Sequence, residues 1–271
     1  MSLLRFPRFR GGALVRQAAE ALVSLLFPAP CRICQATLLT ASRIPICREC
    51  LDTLRPLTFP VCECCGRPLV SALAGQVPHP LCGLCRRGIY NFDLARSYAP
   101  YDAAMVRAIS LLKYYAVTPL GDWFAARLAE IVAGQPELWL ADVVVPVPLH
   151  ATRLRERGYN QADLIARPLA RRLRLPFRSY LLVRTKPRPA KLRLSRHERW
   201  DTVRGAYAIR ERARVDKMHV LLVDDVFTTG ATLDACAKTL RQAGAARVAG
   251  LTVARAVSGG RGPAGAREEQ K

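Results

Sequence analysis

The order of apolar and polar residues changes texture near Asn91. From there on, short runs of branched aliphatic residues alternate with longer segments whose apolar positions recur every three to four residues. These are the signatures of buried strands and of helices with one dry face. The pattern predicts strands at 94–99, 141–145, 206–209, 220–223 and 247–253, and helices at 102–115, 121–132, 160–173 and 232–242. Pro168 is placed to kink the third helix and Gly244 to stop the last. Strands and helices in alternation predict an α/β fold, a parallel sheet flanked by helices. Residues 184–200, dense in charge and carrying two prolines, read as a long mobile loop, and 259–271 as a disordered tail.

Upstream the pattern differs. Leu14, Ala18, Leu22 and Leu25 fall at helical spacing, so 12–27 is expected to be an amphipathic helix docked on the body. Arg5, Arg8, Arg10 and Arg16 ahead of an apolar run imitate a secretory leader, but Glu20 interrupts the run and no small-x-small cleavage site follows. No uncharged apolar run approaches the roughly 18 residues of a membrane span, so a cytoplasmic protein with no stable membrane span is expected.

The chain has 271 residues, 51% of them hydrophobic, enough for one α/β domain and a smaller module and too many for a disordered protein. Its formal net charge of +21, carried mostly by Arg, favours polyanionic partners such as nucleic acid or phosphorylated metabolites. A solvated Arg-rich surface with no single basic face accounts for the same charge.

Eight of the ten cysteines form C-x-x-C pairs: Cys31/Cys34, Cys47/Cys50, Cys62/Cys65 and Cys82/Cys85. Two-residue spacing lets both thiolates of a pair turn onto one ion, and two pairs complete a tetrahedral four-cysteine zinc site. Neighbouring pairs give two Zn2+ sites, Cys31/Cys34/Cys47/Cys50 and Cys62/Cys65/Cys82/Cys85; a crossed arrangement and the loss of one metal stay open. Disulfides would need an oxidising compartment, and a redox dithiol is the other alternative. With thiolates in every position and none left for water, the expected role is structural. Cys64 is a spare inside one pair, and Cys236 a small buried residue of the 232–242 helix.

One stretch carries candidate chemistry. The strand at 220–223 is apolar throughout, as a strand buried on both faces should be, and runs into Asp224 and Asp225. Ligands of open α/β sheets bind at such carboxyl ends. Two carboxylates there suit the vicinal hydroxyls of a ribose. The following turn, Val226, Phe227, Thr228, Thr229, Gly230, Ala231 and Thr232, enters a helix and offers N–H and hydroxyl groups to a phosphate, with Gly230 allowing close approach. Simple helix capping by Asp is the plainer alternative.

This stretch resembles the thirteen-residue phosphoribosyl-pyrophosphate (PRPP) motif of type I phosphoribosyltransferases. Together with the cysteine pairs, Lys113 in 109–114, the 145–149 segment VPVPL, the 157–161 segment RGYNQ and the 251–255 segment LTVAR, it resembles the ComF family over nearly the whole chain. The resemblance implies a phosphoribosyltransferase-like domain joined to an N-terminal zinc-ribbon module. The expected division is an N-terminal helix (1–29), a double zinc ribbon (30–88), a phosphoribosyltransferase-like domain (89–257) and a tail (258–271).

It also implies roles. Asp224 and Asp225 would bind ribose hydroxyls directly or through Mg2+, and Thr228, Thr229, Gly230 and Thr232 the 5′-phosphate. Val145, Pro146, Val147 and Pro148 would form the pyrophosphate loop, where backbone N–H groups meet the leaving group. Arg157 and Lys113 would supply positive charge to departing pyrophosphate, under a closing loop at 184–199. Three positions depart from the family pattern: Lys191 for Gln, Thr202 for Asn, and Thr228 where hypoxanthine-type enzymes carry Asp. The last disfavours purine salvage of that type. The implied activity is phosphoribosyl transfer to a nitrogen acceptor. The alternative is a non-catalytic PRPP-binding or single-stranded-DNA-binding factor in DNA uptake, working with a competence helicase, with Tyr98, Tyr101, Tyr114 and Tyr115 as candidate stacking residues or as packing elements.

Overall fold

The computed structural model describes residues 29–38, 42–58, 60–69, 78–187, 195–210 and 214–257. The expected helix at 12–27, the expected tail and Lys191 lie outside the described residues. The chain forms two compact units, Met1–Thr53 and Leu54–Lys271. The first contains α1 (Arg48–Thr53). The break falls at Thr53, so the second set of cysteines belongs to the same unit as the sheet.

In the second unit the apolar runs become β1 (Leu94–Pro100), β2 (Val143–Pro146), β5 (His219–Phe227) and β6 (Arg247–Arg255), all parallel, in the order β1-β6-β5-β2. Between β1 and β2 lie α2 (Ala103–Tyr114) and α3 (Pro119–Gly134), and after β2 come α4 (Ala151–Arg157) and α5 (Gln161–Leu173). A short antiparallel pair, β3 (Leu182–Arg184) and β4 (Tyr207–Ile209), brackets α6 (Arg196–Asp201), and α7 (Ala231–Gln242) joins β5 to β6.

Strand alternation sorts the core. Val143, Val145, Val220 and Leu222 share one apolar cluster with Leu233, Cys236 and Ala237 of α7 and with Tyr207 of β4. The intervening Val144, Leu221 and Val223 are equally buried and face the layer of α3 and α5. Helix α5 runs without interruption through Pro168. Proline has no N–H to donate to the Leu164 carbonyl, and Gly121 of α3 comes so close there that a Cβ would lie 2.5 Å from that oxygen. The close approach of the two helices falls at the carbonyl the proline leaves without its intrahelical donor, and a side chain on residue 121 would not fit there.

Three expectations change. The strand expected at 220–223 continues to Phe227, because β6 pairs with it through Asp224↔Thr252, Val226↔Ala254 and Phe227↔Arg255; backbone pairing is indifferent to the acidic side chains at which the apolar run stops. The 184–200 segment is partly regular. Arg184 ends β3, and α6 starts with a capping box in which Ser195 accepts from the Glu198 amide and Glu198 from the Ser195 amide. Helix α4, too short for a periodic signal, was not expected.

Candidate functional site

The site begins where β2 leaves β5. Their ladder ends at Pro146↔Val223, followed by a single bond from the Val147 amide to the Val223 carbonyl (2.9 Å). Beyond it, among the described residues, β5 is flanked by β6 alone, which opens a crevice at the carboxyl ends of two neighbouring strands. The onward connections leave on opposite faces, α5 after β2 and α7 after β5, as at the ligand-binding switch point of open α/β sheets.

Asp224 and Asp225 are both buried at this crevice. By strand parity they leave β5 on opposite faces, so they are not a simple side-by-side pair. Asp225 meets Lys113 from the end of α2, with Nζ 2.6 Å from Oδ2. Burial opposes the charge on Lys113, but the neighbouring Asp225 carboxylate outweighs it and holds the ammonium above its usual range. Asp224 accepts the Asp225 amide at 2.8 Å. Loss of water, reinforced by the charge of Asp225, pushes its carboxyl up to about 7, while Lys113 and Arg184 oppose the shift. Arg184 Nη1 donates to the Tyr207 hydroxyl at 3.1 Å, which ties β3 to β4 beside this acid.

The turn after β5 is held from the side. Gly230 precedes α7 at φ +84°, and a Cβ there would lie 2.6 Å from Phe227 Cζ and 2.8 Å from Tyr90 Cε1. The close approach that requires glycine is thus to two aromatic rings of the protein itself. The Tyr90 hydroxyl donates to the Thr229 carbonyl (3.0 Å), and its ring stacks on Phe92 (4.6 Å) and Trp200 (5.9 Å). Thr229 Oγ1 accepts the Ala231 amide (3.3 Å), and Asp234 in the first turn of α7 accepts from the Asn91 amide and side chain. Val226, Thr228 and Thr232 are half-buried along the same edge.

The 145–148 segment differs from expectation. Val145 lies inside the β2–β5 ladder, Pro146 and Pro148 have no N–H, and the amide of Val147 is committed to Val223. The segment shapes the crevice, and the donors beside it are side chains. Asn160 holds it in place, with Nδ2 donating to the Val147 carbonyl (3.0 Å) while Oδ1 caps α5. Lys113, Tyr114, Ala116, Arg153, Glu156, Arg157 and Tyr159 line a cleft of about 310 Å³. The Arg157 guanidinium lies 5.0 Å from the Tyr114 ring centre and donates to Gln161 Oε1. The Tyr159 hydroxyl donates to the Leu112 carbonyl (2.5 Å), fixing the end of α2 that carries Lys113.

The cysteines gather as two separate sets, Cys31/Cys34/Cys47/Cys50 and Cys62/Cys65/Cys82/Cys85, each with its sulfurs within 4.8 Å of one another. The neighbouring-pair arrangement is the one present, and both sets fit a tetrahedral zinc ribbon. The two are copies of one another, offset by 31 residues at the first cysteine pair and by 35 at the second. Cys31 N to Ala36 O repeats as Cys62 N to Arg67 O, and Arg32 N to Pro45 O as Glu63 N to Pro80 O. The amides of Cys47 and Cys82 donate to the sulfurs of Cys31 and Cys62, each at 3.3 Å. Gln35 at φ +66° matches Gly66 at φ +69°.

The copies differ in setting. Cys34 is exposed, whereas Cys62, Cys65 and Cys82 join the apolar core of the sheet unit. The Ala95 amide of β1 donates to the Cys64 carbonyl (2.7 Å), and a Cβ on Gly66 would lie 2.6 Å from the Ala95 carbonyl oxygen. Two arginines flank this second set. Arg96 Nη1 donates to the Glu63 (2.7 Å) and Ala95 (2.9 Å) carbonyls, and Arg255 Nη1 donates to the Cys65 carbonyl (2.6 Å).

Sequence reasoning overlooked Tyr90, Asn91, Tyr159, Arg184, Asp234 and Arg255 as supports of the site. Asn160 and Arg255 stood inside quoted segments, and Asn160 before a helical run carries an N-cap signal. Tyr90 and Asn91 have no local signal for these roles, because their hydrogen-bond partners Thr229 and Asp234 lie more than 130 residues away in the chain.

Two ribbon-type sets of four cysteines and a parallel sheet with an acidic strand end define a zinc-ribbon protein with a phosphoribosyltransferase-type domain. The double zinc ribbon domain family matches residues 22–87, and the phosphoribosyl transferase domain family residues 162–270. Competence protein F of Haemophilus influenzae is 30% identical over 216 residues, 78% of this chain and 90% of that protein. DNA utilization protein YhgH of Salmonella typhi is 30% identical over 230 residues (83% and 96%), and competence protein ComFC of Bacillus subtilis 28% over 218 (78% and 84%). The chain belongs to the ComF family of competence proteins. Among the described residues no helix is long and apolar enough to cross a membrane.

Proposed function

We propose that this chain binds PRPP with Mg2+ and transfers its phosphoribosyl group to a nitrogen acceptor. The observation that carries the reading is the crevice in which Asp224 and Asp225, the glycine turn before α7 and the cations Lys113 and Arg157 converge on the ends of β5 and β2. The carboxylates accept the ribose hydroxyls, and the turn with Thr228, Thr229 and Thr232 takes the 5′-phosphate. Lys113, Arg157 and Arg153 face the pyrophosphate. As the acceptor nitrogen attacks C1′, the C1′–O bond breaks, pyrophosphate leaves with the electron pair, and the acceptor releases a proton. Mg2+, when bound with the pyrophosphate, neutralises part of its charge. Lys113 already balances Asp225, which favours direct hydroxyl contacts by this acid over metal ligation. Calorimetric titration with PRPP, with and without Mg2+, tests the reading. Saturable binding that disappears in the double variant Asp224→Asn/Asp225→Asn supports it, and no binding by the parent protein removes it.

A second reading, single-stranded DNA binding, is favoured by the rim of the cleft. Tyr114 and Tyr115 are 56% and 67% exposed; Tyr114 lines the cleft with Arg153, and Arg155 is exposed on the same helix as Arg153. Aromatic rings among arginines suit base stacking along a phosphate backbone. Tyr98 takes no part, being buried with its hydroxyl on the Leu54 carbonyl. Binding that weakens steeply with salt is the expected outcome.

A further inference from the structure

We infer that the second cysteine set is a working part of the ligand site, coupled to its phosphate turn through Arg255. This rests on the PRPP reading above. Arg255 ends β6 and is 2% exposed, yet none of the ion pairs among the described residues gives it a carboxylate. Its Nη2 lies 3.6 Å from Cys65 Sγ, its Nη1 donates to the Cys65 carbonyl, and Nε finds no acceptor among the described residues. A buried guanidinium needs a counter-charge. Four thiolates around one divalent ion carry two net negative charges, and Arg255 with Arg96 stands against them. Outer-sphere donors of this kind orient metal ligands.

The same guanidinium lies 4.0 Å from the centre of the Phe227 ring, a cation–π contact made away from water. Phe227 ends β5, pairs with Arg255 in the sheet ladder and accepts the Ala256 amide at 2.9 Å. Its ring is the atom group nearest to the missing Cβ of Gly230, and Tyr90, packed edge-on to it, holds the Thr229 carbonyl. Cys65, Arg255, Phe227 and the 228–230 turn therefore form one continuous packed series. Emptying the metal set takes away the fixed four-sulfur cluster against which Arg255 is held. Arg255 then has to find water, which takes its support from Phe227 and loosens the turn. Coupling of this kind acts in both directions, so ligand binding also steadies the metal set.

Cobalt(II) exchanged for zinc gives the test, since its thiolate charge-transfer bands report the metal set directly. Titration of cobalt-loaded protein with PRPP and Mg2+ is expected to change these bands saturably, with the midpoint found by calorimetry. In Arg255→Gln the band change disappears and PRPP affinity falls about tenfold, and Arg255→Lys, which keeps the charge, recovers part of both. Calorimetric binding by the parent with unmoved cobalt bands overturns the coupling alone, even if Arg255→Gln does not fold. A folded Arg255→Gln that binds PRPP as tightly as the parent does the same. No binding by the parent at all overturns the PRPP reading and the coupling together.

Discussion

Lys113 Nζ lies 2.6 Å from Asp225 Oδ2, and both groups are largely withdrawn from water. Neither is stable there alone. Lys113→Met should therefore leave a buried carboxylate unpaired and cost about 3–5 kcal/mol of folding stability, much of which Lys113→Met/Asp225→Asn should restore. Urea unfolding of the single and double variants measures this. Equal destabilisation in both would mean that packing, not charge pairing, is what Lys113 provides.

Asp224 makes stability and ligand binding oppose each other. Burial first, and then the charge of Asp225, pushes its carboxyl in the folded chain up to about 7, whereas an unfolded aspartate titrates near ~4. Between those values the folded chain holds a proton that the unfolded chain has released. This group's contribution is therefore most favourable below about pH 4, declines as pH rises to about 7 and is level above. Asp224→Asn, which does not titrate, should come nearest the parent at about pH 4 and exceed it by about 1–3 kcal/mol at pH 8, while losing PRPP affinity. In the parent, PRPP affinity should rise between pH 6 and 8 as the carboxylate forms. Thermal melts across pH, with calorimetry at the same values, separate the two effects.

The parallel sheet was legible because each strand buried on both faces writes a continuous apolar run, as 220–223 does, and the cysteine pairs were legible because metal geometry dictates their spacing. The acids of β5 could be found as a break in that pattern, but not their parity on the strand or the pairing of one with Lys113. Nor could sequence show that the amide of Val147 is spent on Val223. The repeat of the ribbons is hidden because its offset shifts from 31 to 35 residues between the first and second cysteine pairs, and because only the cysteines and the positive-φ position, Gln35 against Gly66, are constrained by the turn.

Gly230 and Gly158 share a left-handed backbone, φ +84° and +80°, but only Gly230 is crowded. Gly158→Ala meets open space and should cost about 1–2 kcal/mol from the backbone alone. Gly230→Ala must also displace Phe227 and Tyr90, so about 2–4 kcal/mol is expected, with PRPP affinity reduced. Comparing the two alanine variants by thermal melts and calorimetry isolates the packing contribution. Equal costs would show that the aromatic contacts yield freely.

For nucleic acid, Tyr114→Ala/Tyr115→Ala removes two stacking surfaces and no charge. Affinity for single-stranded DNA should fall by about 1–3 kcal/mol per engaged base while the salt dependence keeps its slope. Arg153→Gln/Arg155→Gln should instead make the slope shallower. Fluorescence anisotropy at several salt concentrations distinguishes these effects, and no binding at low salt would remove the DNA reading.

The two cysteine sets should also part company in stability. Both fit one zinc each, so metal analysis of the purified protein should return about two ions per chain. Cys34 is exposed in the first unit, and Cys65 is buried in the core of the second beside Arg255. Cys34→Ser should lower zinc content by about one ion and leave the main unfolding transition of the sheet unit nearly in place. Cys65→Ser should release about one ion and also lower that transition, because its site is part of the core that β1, β6 and α7 share and because Arg255 is left without its counter-charge. Calorimetric melts beside the zinc determinations show both effects in one preparation. An unshifted main transition in Cys65→Ser would mean that the core holds the second ribbon in place without its metal.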